Sequence, residues 1–70
     1  LRVKLKSMRE RRNLSQQELS NKSRVPQSMI SEIERGIVAF PRVDTLYKLA
    51  RALKCTVDDL IESDEQKEGA

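Results

Sequence analysis

The chain has seventy residues, no histidine and a single cysteine, Cys55. It therefore lacks the commonest general base and metal ligand, and it cannot close an internal disulfide. With Cys55 expected to face inward, no nucleophile and base pair is available. Neither enzymatic activity, a metal site nor a cofactor is expected. What the sequence offers instead is cations. Residues 1–36 carry nine Lys/Arg against four Asp/Glu, residues 37–61 four against three, and residues 62–70 one against four. The net charge of +3 is thus a basic front and an acidic end. A basic front implies an anionic partner, of which nucleic acid is the usual one; ordinary solvated helix faces are the alternative.

Composition bounds the rest. A chain this short buries only about 60% of its unfolded surface, so it forms one small domain with a thin stability margin. No run of about 18 apolar residues exists to span a bilayer, and no membrane partner is expected. A lone thiol fits a reducing cytoplasm. Opening on Leu1 rather than Met, the chain reads as a fragment. Residues 1–61 are expected to fold, and residues 62–70 to form an acidic, frayed tail.

The residues that could meet an anion must be positioned by helices, because the apolar residues recur at helical spacing. Leu1, Leu5 and Met8 place a stripe on a first helix, followed by Arg9, Arg11 and Arg12 near its end and by Asn13 as a terminator. Ser15 to Glu18 form a capping box that starts a second helix over about Gln16 to Lys22, with Leu19 inward and small Ser20 beside it. Ser23-Arg24-Val25 is a tight connection, and Pro26 suits the first turn of a third helix, about Gln27 to Arg35, with Ile30 and Ile33 inward and Gly36 as its stop. Ile37 to Pro41 are too short for a helix and read as an apolar loop, with Phe40 folded onto the core. A fourth helix carries Val43, Leu46, Leu49, Ala50 and Leu53 on one side. Thr56 caps a last one holding Val57, Leu60 and Ile61, with Asp58 and Asp59 in its first turn. The expected fold is all-α, a compact bundle of five short helices. Its second and third helices, joined by a short turn, form a helix-turn-helix.

Four segments carry a family resemblance. Leu14-Ser15-Gln16-Gln17-Glu18-Leu19, Ile30-Ser31-Glu32-Ile33-Glu34-Arg35-Gly36, Thr45 through Leu53, and Thr56-Val57-Asp58-Asp59-Leu60 resemble, in order and spacing, the signatures of the phage-repressor and Cro-like (XRE family) helix-turn-helix domains. The resemblance covers about residues 1–61. It implies a lambda-repressor-like domain of a cytoplasmic transcriptional regulator, nucleoid-associated when bound, acting as a homodimer on double-stranded DNA at a palindromic operator. It assigns no small-molecule effector.

The resemblance also distributes roles. Gln27, Ser28, Ser31 and Glu32 match positions that face base edges, with Met29 beside them. An amide such as Gln27 suits adenine N6 and N7, and Glu32 is either a cytosine N4 acceptor or a solvated bystander. Gln16 matches a phosphate-clamping glutamine at the start of the second helix, where free amides and the helix dipole favour an anion. Gln17, Arg11, Arg35 and Arg42 are further phosphate candidates. Arg9 and Glu34 are expected to form a structural ion pair beneath the third helix. Arg24 and Lys54 stand where the family usually has turn glycines, and Pro26 where it has a Ser or Thr cap. The apolar loop Ile37–Phe40 departs most, and it supports a second reading as a protein-interaction, antitoxin-like module.

Overall fold

The computed structural model describes residues 2–62. Five helices follow one another: α1 (Leu5–Arg11), α2 (Gln16–Ser23), α3 (Gln27–Glu34), α4 (Val43–Ala52) and α5 (Val57–Leu60). Two short strands, β1 (Arg2–Val3) and β2 (Ile61–Glu62), pair antiparallel and join the two ends of the described chain. The domain is helical apart from this two-residue ladder.

The helix boundaries follow from local chemistry. Capping boxes start α2 and α5: the Ser15 hydroxyl accepts from the Glu18 amide while the Glu18 carboxylate accepts from the Ser15 amide, and Thr56 and Asp59 do the same. Three helices end in the Schellman geometry, with a left-handed residue just past the cap. These residues are Asn13 (φ 57°), Gly36 (φ 82°) and Lys54 (φ 57°). After α3, for example, the Gly36 amide donates to the Ile33 carbonyl and the Ile37 amide to that of Glu32. Arg24 (φ 67°) ends α2 in the same left-handed conformation and donates to the Ser20 carbonyl.

The core is a single cluster that draws on all five helices: Leu5, Met8, Leu19, Val25, Ile30, Ile33, Leu46, Leu49, Ala50, Leu53 and Leu60. The spacing of these residues is what the helical period requires. Helix α2 packs on both α3 and α4, while α3 also meets α1.

Five expectations need correction. The first helix begins at Leu5, not at the start of the chain. Residues 2–3 are extended, with Arg2 opposite Glu62 and Val3 opposite Ile61, and the Lys4 amide donates to the Leu60 carbonyl. Leu1 lies outside the described residues. For the same reason Ile61 belongs to β2 and not to α5: β-branched Val3 and Ile61 suit a pleated pair. Val43 is 73% exposed. It is the first residue of α4, and because Cα–Cβ bonds tilt toward the helix N-terminus its side chain projects past the start of the helix into solvent instead of entering the core. Phe40 is 45% exposed. Val38 packs against the core and Pro41 is buried, and these two anchors leave Phe40 outside. Glu62 is paired in β2. The acidic, frayed tail expected over residues 62–70 therefore does not begin at Glu62, and residues 63–70 lie outside those described.

Gly36 offers a clean test, because nothing lies within 4 Å of an added Cβ. Gly36→Ala is expected to cost about 1 kcal/mol through backbone strain alone, a fall of about 4–8 °C in the thermal midpoint for a domain this small. Leu49→Ala, which empties a fully buried position, should cost about 2–5 kcal/mol. Thermal unfolding followed by circular dichroism measures both.

Candidate nucleic-acid interface

The turn between α2 and α3 is fixed by two hydrogen bonds and one buried side chain. The Ser20 hydroxyl donates to the Val25 carbonyl at 2.7 Å, the Val25 amide donates to the Ser23 hydroxyl at 3.2 Å, and Val25 itself is buried. Pro26 then stands as the N-cap of α3 with no side-chain cap, and its carbonyl receives the Met29 and Ile30 amides. The first amides of α3 are therefore left without an intrahelical partner, as at any helix start.

Helix α3 has two arcs. Ile30 and Ile33 face the core, with Met29 half-buried at its margin. Gln27, Ser28, Ser31 and Glu32 share the opposite arc, because residues three or four apart on a helix are neighbours on one side. Gln27 and Ser28 are exposed, and Ser31 and Glu32 are half-buried. No side-chain hydrogen bond or ion pair engages any of these four among the described residues.

Beneath α3 lies the best-defined polar contact in the domain. Arg9 Nε donates to Glu34 Oε2 at 2.7 Å and the Arg9 guanidinium also reaches Glu34 Oε1 at 3.1 Å, a bidentate pair. A further guanidinium N–H of Arg9 donates to the Leu14 carbonyl at 2.7 Å. Gln16 Nε2 donates to Glu34 Oε1 at 3.0 Å. One carboxylate on α3 thus ties down α1 and the first residue of α2, and the guanidinium it grips also holds the α1–α2 turn. The side chains of Arg9 and Glu34 are only 12% and 4% exposed. Burial alone would push the Glu34 carboxyl up, but hydrogen bonds from Arg9 and Gln16 outweigh it and hold it below its ordinary value. The Glu34 hydrogen bond raises Arg9 correspondingly.

The other candidates are dispersed. Arg35 caps the end of α3 and is exposed. Arg11 is exposed on the last turn of α1. Gln17 is exposed and its amide donates to Asn21 Oδ1 at 3.3 Å. Arg42 is the N-cap of α4, with Nε 3.6 Å from Asp44 Oδ1. Arg12 reaches the Lys54 carbonyl at 3.4 Å. Cys55 packs against the core, and burial pushes its thiol up, away from the reactive thiolate. Two features escaped the sequence reading. Lys22, Lys48 and Arg51 border a shallow hollow with Ser23 and Ala52. Val43 and Tyr47 form an exposed pair on α4. The i, i+4 spacing of Val43 and Tyr47 was the available signal for the second.

This architecture matches the helix-turn-helix family model over residues 5–60, and the chain belongs to that family, of the phage-repressor and Cro-like kind that its motifs resemble. Among solved structures, a chain of the SinR protein/SinI protein complex is similar, with a TM-score of 0.79 at 32% identity. That match covers 94% of this chain and 62% of the other, so the chain spans less than two thirds of its relative's length. Comparison with curated proteins gives no significant match.

The lowered Glu34 carboxyl makes a signed prediction. A carboxylate held below its unfolded value stabilises the fold above that value, ordinarily 4.5, and the contribution is lost as pH falls through the folded value. Stability should therefore decline on acidification below about pH 4.5, and Glu34→Gln should remove this part of the decline. At neutral pH the same variant leaves the Arg9 cation unpaired and should cost about 3–5 kcal/mol. Urea titrations across pH measure both effects. An unchanged acid limb in the variant would assign the decline to other carboxylates.

Proposed function

We propose that this domain is the sequence-specific DNA-binding part of a transcriptional regulator and that it inserts α3 into the major groove. One observation carries the reading: α3 is held from behind by Ile30, Ile33 and the Glu34 contacts, while the side chains of Gln27, Ser28, Ser31 and Glu32 on its outer arc make no hydrogen bond or ion pair among the described residues. The major groove is the suitable target, because there each base pair presents a distinct pattern of donors and acceptors.

In this reading Gln27 pairs with an adenine edge through its amide, and Ser28, Ser31 and Glu32 refine the choice of base. Gln16 retains one N–H beyond the one given to Glu34, and with the free amides at the start of α2 it meets a phosphate. Gln17, Arg11, Arg35 and Arg42 supply further backbone contacts. These fix register and supply salt-dependent affinity, while the base contacts select the site. Two copies on a palindromic operator place their α3 helices about 34 Å apart in successive major grooves. The setting is the cytoplasm, on the nucleoid when bound. Family membership and the likeness to a chain of the SinR protein/SinI protein complex support a regulatory role in which such domains also meet protein partners.

The exposure of Ile37 and Phe40 favours a second, compatible reading: the loop after α3 contacts a protein partner. Val38 packs on the core, so Ile37→Ser with Phe40→Ser is the informative pair of changes. Loss of partner binding with DNA binding retained supports this reading.

Selection of binding sites from a random duplex pool tests the main proposal, and recovery of no enriched sequence would overturn it. On the recovered site, Gln27→Ala should cost about 1–3 kcal/mol and relax preference at one base pair. Arg42→Ala should weaken all duplexes alike and reduce the salt slope by about one. A uniform loss for Gln27→Ala would move that residue to the backbone contacts.

A further inference from the structure

Every large apolar side chain that is strongly exposed among the described residues falls between residues 37 and 47: Ile37, Phe40, Val43 and Tyr47. Val43 and Tyr47, 73% and 57% exposed, lie one turn apart on α4 and border a shallow depression with Arg42 and Asp44. One turn further on, the Arg51 guanidinium lies over the Tyr47 ring, 5.8 Å from its centroid. The solvent face of α4 is thus a stripe of Val43, Tyr47 and Arg51, flanked by Asp44 at its start and Lys48 near its end.

We propose that this face is the surface on which a second copy of the chain docks, with two α4 helices packed antiparallel about a two-fold axis near Tyr47. This rests on the dimeric reading above and names the surface that reading leaves open. The argument is charge complementarity. A two-fold interface brings the same patch against itself, so residue i of one copy meets j of the other and j meets i. Asp44 and Arg51 are seven residues apart, about 10.5 Å along the axis. An antiparallel partner sets each Asp44 opposite the other copy's Arg51, twice per dimer. The same register sets each Lys48 opposite the other copy's Tyr47 ring, a cation–π arrangement. The existing partner of Asp44 is Arg42, 3.6 Å away, with the two side chains 86% and 62% exposed. Such an open contact is weak enough to be exchanged. A duplex suits this stripe poorly, because its first turn presents apolar Val43 and the Asp44 carboxylate.

Sedimentation velocity of the whole chain over a concentration series tests the assignment. The wild type should self-associate. Asp44→Arg and Arg51→Asp, which juxtapose like charges, should each raise the dissociation constant at least about tenfold. The double exchange should restore association toward wild type. Val43→Asp should also give a monomer, and as a carboxylate in the first turn of α4 it suits the helix dipole, so the fold survives it. Circular dichroism confirms folding of each variant. If the wild type self-associates but neither the single charge changes nor Val43→Asp alters it, the surface is wrong and the dimeric reading stands. If the wild type is monomeric both free and on a two-site duplex, both fail, and the face is left to a different protein.

Discussion

The bidentate pair between Arg9 and Glu34 is the contact on which the placement of α3 depends. A small helical domain has few long-range constraints, and most of this core is aliphatic. Aliphatic contacts supply affinity between helices but little angular precision, since volume-conserving swaps are tolerated. A planar guanidinium that grips one carboxylate with two nitrogens allows one orientation. Here that carboxylate sits at the last residue of α3, the guanidinium also holds the Leu14 carbonyl, and Gln16 completes the group. The helix is fixed at one end by charge and along its inner arc by Ile30 and Ile33. Burying an ion pair gives little net stability over an apolar substitute. Its value here is geometric: it sets where the outer arc points.

The turn between α2 and α3 solves the opposite end of the same problem. The chain reverses over Arg24, Val25 and Pro26, which leaves the buried Val25 and its neighbours with polar groups to satisfy. Ser20 and Ser23 supply the partners from within α2, so the turn is self-sufficient. This gives the small polar residue at position 20 a role: its half-buried hydroxyl reaches the Val25 carbonyl at 2.7 Å. Arg24 bears the remaining cost, a left-handed backbone without a glycine.

Much of the fold was legible because capping chemistry is local. The box at Ser15–Glu18, the cap at Thr56, the stop at Gly36 and the left-handed Asn13 all follow from residue type and spacing, and the structure has them; that Asp59 closes a second box with Thr56 came from the structure. The parts that were not legible depend on contacts distant in sequence. Nothing in Arg2-Val3 announces pairing with Ile61-Glu62, because two-residue strands carry no period. The outward turn of Phe40 depends on Val38 and Pro41 having taken the inward positions first. The Arg9–Glu34 contact, 25 residues apart in sequence, could be anticipated only through resemblance, since Arg11, Arg12, Lys4 and Lys6 are equally charged neighbours in the chain. For the candidate site, the outer arc of α3 was readable from the helical period once Ile30 and Ile33 were assigned inward. The engagement of Gln16 by Glu34 was not.

The separation of duties along α3 has a consequence for how such a domain can vary. Ile30, Ile33 and Glu34 make the contacts that hold the helix, and they occupy one arc and one end. Gln27 and Ser28 make no side-chain hydrogen bond to the rest of the described chain, so substitution there removes solvent contacts rather than packing. Surface changes of that kind typically alter stability by less than about 0.5 kcal/mol. The inner arc, in contrast, tolerates little: truncating a fully buried Ile30 costs about 2–5 kcal/mol in a domain whose whole margin is only a few times larger. A helix divided in this way can change what it recognises without changing how it is held. The condition is that the carboxylate at position 34 and its two partners stay in place, because among the described residues they alone connect the end of α3 to both of the preceding helices through side-chain hydrogen bonds.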